Sequence, residues 1–174
     1  MKRGFTLIEL LLVMAIIGIL MGMVLVYLPK AKCRASEGAA KTFISSLEQA
    51  LTMYKEETGI YPPSDDDFSS KVLYSELTKP KSTEDAAPFM DFKKENLCED
   101  KTICSRDKWP YFYRENWSKN RGKKEGLVGA NAYGFDIWTL DCDYQRKEKL
   151  RVVGGCYKVS DPEELAKSTR IKNW

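Results

Sequence analysis

One carboxylate, Glu9, stands in an otherwise uncharged apolar run over residues 5–28, FTLIELLLVMAIIGILMGMVLVYL. An ionised carboxylate is costly in hydrocarbon and is retained there when it meets a cation or serves a purpose. Cutting the chain would create such a cation. Hydrolysis between Gly4 and Phe5 leaves the α-amino group of Phe5 at the head of a helix, placed to neutralise Glu9 of a neighbouring copy. The other reactive groups are five thiols, Cys33, Cys98, Cys104, Cys142 and Cys156. They lack the CxxC spacing of a metal site, so their chemistry is disulfide formation outside the cytoplasm. Spacing favours the short-range pairs Cys98 with Cys104 and Cys142 with Cys156 and leaves Cys33 as the odd thiol, although spacing alone does not fix connectivity. The sequence has no histidine, which excludes His-based zinc sites, nucleophilic triads and imidazole acid-base catalysis. The run Asp65-Asp66-Asp67 offers carboxylates to a cation, but acids at the solvated N-terminus of a short helix explain it more simply.

The element that must carry Glu9 is a helix long enough to cross a bilayer. Beyond it, Phe43, Leu47, Ala50, Leu51 and Tyr54 recur at steps of three and four, with Lys41, Ser45, Glu48, Thr52 and Lys55 opposite. That periodicity predicts an amphipathic continuation of the same helix, packed by one face on a domain. Gly59, followed by Pro62 and Pro63, predicts its end near Thr58, and Pro29 predicts a kink within it. Gly18 and Gly22 have the spacing that lets two helix backbones approach closely, and equally mark a place where the helix can loosen. A short helix is expected over 68–77 and an irregular connection over 79–104, cinched by its two cysteines. Alternating aromatics predict a strand beginning after Pro110 and a second over 132–140, with a third within 150–159. The basic stretch 118–126 reads as a loop tip. Asp161, Pro162, Glu163 and Glu164 have the order that opens a helix, and Ile171 and Trp174 are expected to tuck onto the sheet. Net charge is +3, and nothing in that balance calls for a nucleic acid.

The residues Lys2-Arg3-Gly4 followed by Phe5-Thr6-Leu7-Ile8-Glu9-Leu10 resemble the class III leader of type IV prepilins and type II secretion pseudopilins. A secretory signal peptide would need a small-x-small cleavage site, absent around residues 29–35, and a lipoprotein would need small residues before Cys33, which follows Lys32. The likeness continues inward. Leu51-Thr-Met-Tyr54 with Thr58-Gly-Ile-Tyr-Pro62, Arg106-Asp-Lys-Trp109 with Tyr111 and Tyr113, Tyr133-Gly-Phe-Asp-Ile-Trp-Thr-Leu140, and Ile171-Lys-Asn-Trp174 resemble segments of the major pseudopilins of type II secretion.

The resemblance implies an α+β pilin fold: a long N-terminal helix, half transmembrane and half amphipathic, packed on a small antiparallel sheet with C-terminal loops. Residues 1–4 would be a cleaved leader and 5–28 the transmembrane and filament-core helix. Residues 29–174 would be a periplasmic globular domain, its helix reaching about 58, a variable region spanning 59–107, and the sheet and C-terminal region spanning 108–174. It further implies a nonenzymatic, single-pass inner-membrane subunit. A prepilin peptidase would cut between Gly4 and Phe5 and methylate Phe5, with Lys2 and Arg3 holding the leader on the cytoplasmic side. Glu9 would neutralise the new N-terminus as the subunits self-associate into a helical filament that exports folded proteins. Minor pseudopilins and an inner-membrane assembly platform would be its other partners.

The resemblance also brings a structural calcium, the one ion it suggests, held after the last strand by a leucine carbonyl and two aspartates. Leu140 and Asp143 stand at two of these positions, but Arg170 replaces the second aspartate, where a hard cation needs oxygen. Asp161, Glu163 or Glu164 are the available substitutes, and a Cys142–Cys156 bridge is the expected alternative clamp. Within the family, the rival function is a type IV pilin for adhesion, motility or DNA uptake. Outside it, the rival is a membrane-anchored enzyme or binding module, which requires an uncut N-terminus and a cluster of convergent polar groups that the sequence does not display.

Overall fold

The computed structural model describes residues 6–79, 87–116, 121, 129–142, 145, 150, 152–153, 156–169 and 171–174. In chain order the elements are helix α1 (Leu7–Thr58), helix α2 (Lys71–Leu77), a 3-10 turn at Lys94–Asn96, and strands β1 (Tyr111–Glu115), β2 (Phe135–Thr139), β3 (Val152–Val153) and β4 (Cys156–Tyr157), followed by helix α3 (Pro162–Ser168). The chain divides into two compact units, Met1–Ser36 and Glu37–Trp174.

The first unit is helical over its described residues from Leu7 onward, and α1 continues through Pro29. The second unit is α+β. The part of α1 that belongs to it buries Ala40, Ile44, Leu47, Ala50, Leu51 and Tyr54. Phe43 is half-buried and meets Tyr111 of β1 with ring centroids 4.9 Å apart, while Tyr54 meets Phe89 at 5.2 Å. This is the face that the periodicity marks, with Ala40 and Ile44 added to it. Gly59 stops the helix with φ +81°, its N–H donating to the Lys55 carbonyl at 2.8 Å, the left-handed cap that glycine adopts without steric cost.

β1 and β2 pair antiparallel in the register Tyr111↔Thr139 to Glu115↔Phe135. Each outer side of this small sheet is paired at one point: Phe112 bridges to Ser69, and Trp138 bridges to Lys172 of the C-terminal segment. Every residue of β2 is buried: Ile137 and Phe135 lie on one face, and Trp138 on the other packs against Phe68, Phe112 and Trp174. The C-terminal tuck is therefore a sheet contact, with Thr139 N–H donating to the Ile171 carbonyl and Asn173 N–H to the Ile137 carbonyl.

The segment 150–159 departs from expectation. Its strands β3 and β4 pair with each other as a separate two-stranded ribbon, Val152↔Tyr157 and Val153↔Cys156, because the free edge of β2 is already taken by the C-terminus. Tyr133, within the expected second strand, precedes the observed one and is 59% exposed. Asp161 caps α3, its side chain accepting from Glu164 N–H at 2.9 Å with Pro162 at the first helical position. Asp65 does the comparable work before α2 through its 2.6 Å bond from Ser69 N–H, so the aspartate run serves a turn. Burial holds the Asp65 carboxyl above its ordinary range despite that bond. The basic stretch 118–126 lies outside the described residues except for Arg121.

The cysteine pairing is a correction. Cys98 is bonded to Cys156, with Cα atoms 5.7 Å apart, and Cys104 is the free, buried thiol among the described residues. Neither Cys98–Cys104 nor Cys142–Cys156 forms. Cys33 is not the odd thiol either: it and Cys142 are both engaged in disulfides. The reason lies in a tight antiparallel turn. Leu97 bridges to Ile103, Cys98 N–H donates to the Thr102 carbonyl, and Cys104 N–H donates to the Asn96 carbonyl. Cys98 and Cys104 thus sit on one face as diagonal neighbours, a relation that sets Cα atoms roughly 7–8 Å apart. That exceeds the usual disulfide span, whereas the Cα separation to Cys156 fits it.

Candidate functional site

Helix α1 begins with a reciprocal cap. Thr6 donates to Glu9 Oε2 from both its backbone N–H and its hydroxyl, each at 2.8 Å, and Glu9 N–H points back at Thr6 Oγ1 at 3.4 Å. This is the capping box that threonine and a glutamate three residues later make at a helix start, in which each satisfies a donor that the helix leaves open. The Thr-x-x-Glu spacing that makes the cap is present in the sequence. Among the described residues, Glu9 Oε1 takes no bond, so one carboxylate oxygen remains to accept from another molecule.

Around Glu9 the surface is apolar. Leu7, Ile8, Leu11, Met14, Ile19 and Leu25 are all more than half exposed. The helix is long and apolar enough to cross a membrane, and its most apolar window has no buried share. Such a surface requires lipid or protein to cover it. Gly18 and Gly22 have open space where a Cβ would stand, which leaves a narrow stripe on which another helix could approach closely. Lys2, Arg3, Gly4 and Phe5, the residues of the expected cut, lie outside the described residues.

The sheet contains a second polar centre that the sequence did not single out. Asp136 is fully buried in β2. Its Oδ2 accepts from Arg114 Nη2 at 2.9 Å, Arg114 Nε at 3.3 Å and Ala130 N–H at 2.9 Å, and its Oδ1 accepts from Asn131 N–H at 2.9 Å. Burial raises the cost of its charge, but the Arg114 guanidinium, with the Asn131, Asn116 and Ala130 donors, outweighs that and holds the carboxyl below its usual range. Arg114 also reaches Glu163 of α3 at 3.2 Å and lies over the Phe68 and Trp138 rings. The arrangement fixes the turn before β2 and the start of α3 on the sheet. The Asp136 carboxylate is saturated by these donors, whereas Asn116 Oδ1 is buried without a hydrogen-bond partner among the described residues.

The expected calcium set is not assembled among the described residues. Leu140 is buried after β2, while Asp143 and Arg170 lie outside the described residues. Of the three possible substitutes, Asp161 caps α3 and Glu163 pairs with Arg114.

Residues 1–25 match the family model for the prokaryotic N-terminal methylation motif. Over 83 residues, 48% of this chain, the sequence is 40% identical to the type II secretion system core protein G of Vibrio cholerae, covering 53% of that relative. It is 39% identical over 71 residues to the protein of the same name from Escherichia coli K12, and 38% identical over 71 residues to that of Pectobacterium carotovorum. These matches take in 41% of this chain and 49% and 46% of the relatives. The chain spans about half the length of the curated relatives it matches. No solved structure matches it. The motif that contains Thr6 and Glu9 and the exposed apolar half of α1 are thus the same stretch of chain.

Proposed function

We propose that this chain is the major pseudopilin of a type II secretion system, a nonenzymatic structural subunit that assembles from the inner membrane into a filament driving folded proteins outward. The observation that carries the reading is the coincidence of the methylation motif over residues 1–25 with a helix whose apolar side chains are exposed around a single acid. Residues 1–4 are the leader, removed by a prepilin peptidase that methylates Phe5, and 5–28 are the membrane and filament-core segment. Residues 29–174 form the periplasmic domain. The similarity to proteins named core protein G supports secretion over a pilus for adhesion, motility or DNA uptake.

The capped Glu9 gives this reading its mechanism. One oxygen of the carboxylate holds the helix start through Thr6, and the other accepts the N-terminal amine of the next subunit. In a medium of low dielectric that ion pair is far stronger than in water, and it is satisfied only when two copies meet in register.

Mass spectrometry of the membrane-extracted protein, with and without prepilin peptidase, tests this. The expected product begins at methylated Phe5 only when the peptidase is present; a functional protein that still begins at Met1 would refute the proposal. Loss of exoprotein release on gene deletion, with motility and DNA uptake intact, separates secretion from the pilus function.

A further inference from the structure

Between Glu9 and Glu37 the chain holds no acid, and its only basic residues there are Lys30, Lys32 and Arg34. All three are exposed on α1 within the first unit, and none has an ion-pair partner among the described residues. At roughly 1.5 Å per residue, the helix from Leu7 to Tyr27 covers about 30 Å, the thickness of a hydrocarbon core. With Leu7 at one interface, Tyr27, which is 67% exposed, falls at the other, where an amphipathic ring is favoured. The three cations follow it in the headgroup layer. On the proposed function, on which this inference rests, that layer faces the periplasm. Lys and Arg are favoured on the cytoplasmic flank of a span, so three cations on the other flank call for a partner. We propose that Lys30, Lys32 and Arg34 form a collar that binds the headgroup phosphates of anionic lipids and fixes the depth of the helix before the subunit enters the filament.

The placement of the charges selects lipid over another helix. Residues four apart share a helix face, so Lys30 and Arg34 stand together, whereas Lys32 lies across the helix from them. Charge on both sides suits a surrounding ring of lipid; a partner helix would meet one side only. Helical Cβ atoms tilt toward the N-terminus, which here is the membrane end. The three long side chains therefore lean back toward the phosphate level, with their methylene stems along apolar surface. The Arg34 guanidinium can take a phosphate in two parallel bonds, while the two lysines act as point charges. Leaving the bilayer breaks these contacts, so the anionic lipid content of the membrane sets part of the cost of extracting the subunit.

The test uses the full chain in phosphatidylcholine vesicles that contain a trace of spin-labelled phosphatidylglycerol or of spin-labelled phosphatidylcholine. Electron paramagnetic resonance measures the fraction of each label slowed at the protein. Wild type is expected to slow the phosphatidylglycerol label preferentially, and Lys30→Gln/Lys32→Gln/Arg34→Gln to lower that preference about fivefold, the factor for one basic residue at an anionic surface. The charge-keeping variant Lys30→Arg/Lys32→Arg/Arg34→Lys is expected to behave as wild type. Sodium chloride should erode the preference, and inorganic phosphate at matched ionic strength should erode it no further. Equal preference in wild type and the glutamine variant overturns the proposal, as does loss of preference in the charge-keeping one. A stronger effect of phosphate than of chloride assigns the collar to free phosphate and overturns the lipid assignment. A wild-type preference that salt leaves unchanged also overturns it, so a glutamine variant that fails to insert leaves the test decisive. Lys2 and Arg3 are common to every chain compared, so a chain that still begins at Met1 refutes the filament function, whereas an unchanged lipid preference refutes the collar.

Discussion

Thr6 and Glu9 bind each other across the first turn of α1, two bonds at 2.8 Å converging on a single carboxylate oxygen. On the proposed reading Glu9 has two separable roles, capping its own helix and offering a charge to another copy. Substitutions divide them. Glutamine at the third helical position still completes a capping box but carries no charge, so Glu9→Gln, like Glu9→Leu, is expected to keep cleavage and membrane insertion while abolishing assembly. Thr6→Val keeps the charge and loses the hydroxyl, and is expected to assemble at reduced yield. Sheared-filament recovery together with the mass of the mature chain measures both effects. Wild-type filament yield from Glu9→Gln would leave only the cap as the residue's purpose.

Asp136 and Arg114 make a testable contribution to stability. The Asp136 side chain is fully buried and that of Arg114 is 13% exposed, so Asp136→Asn leaves a mostly buried guanidinium short of a partner. Removing one member of such a pair typically costs about 3–5 kcal/mol, and the remaining bond to Glu163 places this case toward the lower end. The sign with pH follows from the lowered folded value. The stabilisation is complete above the ordinary aspartate value of 3.8 and is lost as pH falls below that value through the depressed one. Urea midpoints measured across the acidic range should decline more steeply for wild type than for Asp136→Asn. Parallel profiles would mean that Asp136 does not titrate differently in the folded and unfolded chain.

What the sequence disclosed and withheld follows one physical division. Patterns set by local geometry were legible: the spacing from Phe43 to Tyr54, the glycine stop at Gly59, the aromatics of β1 and the opening of α3 at Asp161. Pairings between residues distant in sequence were not. Nothing local to Cys98 indicates Cys156, and nothing local to β2 shows that Lys172 rather than the 150–159 segment lies along its edge. Asp136 was hidden for a related reason. An acid in a strand alternates like any outward polar residue, and only the tertiary positions of Arg114, Ala130 and Asn131 turn it inward.

Two glycines separate backbone cost from packing cost. Gly59 has φ +81° with open space where a Cβ would stand, whereas at Gly129, with φ +85°, a Cβ would run into the Asn116 side chain. Gly59→Ala should therefore lose only the left-handed penalty, about 1–2 kcal/mol. Gly129→Ala should lose more, because Asn116 is fully buried and donates to the Asn131 carbonyl at 3.2 Å, so it has little room to yield. Equal melting temperatures for the two variants would show that Asn116 moves aside at no cost.

The region after β2 offers a choice between an ion and a covalent tie, and chelation and cysteine substitution distinguish them. The Cys98–Cys156 bridge, with a separation of 58 residues, contributes about 4 kcal/mol on the loop-entropy model. Removing it cleanly requires a background in which Cys104 cannot replace Cys98, so the informative comparison is Cys104→Ala against Cys98→Ala/Cys104→Ala. The double variant is expected to unfold at lower urea by that amount. A chelator is expected to leave the urea midpoint of the wild-type chain unchanged, because Asp161 and Glu163 already have other partners. A chelator-sensitive midpoint, restored by calcium and lost in Asp143→Ala, would place an ion at Leu140 after all and make the disulfide its supplement rather than its replacement.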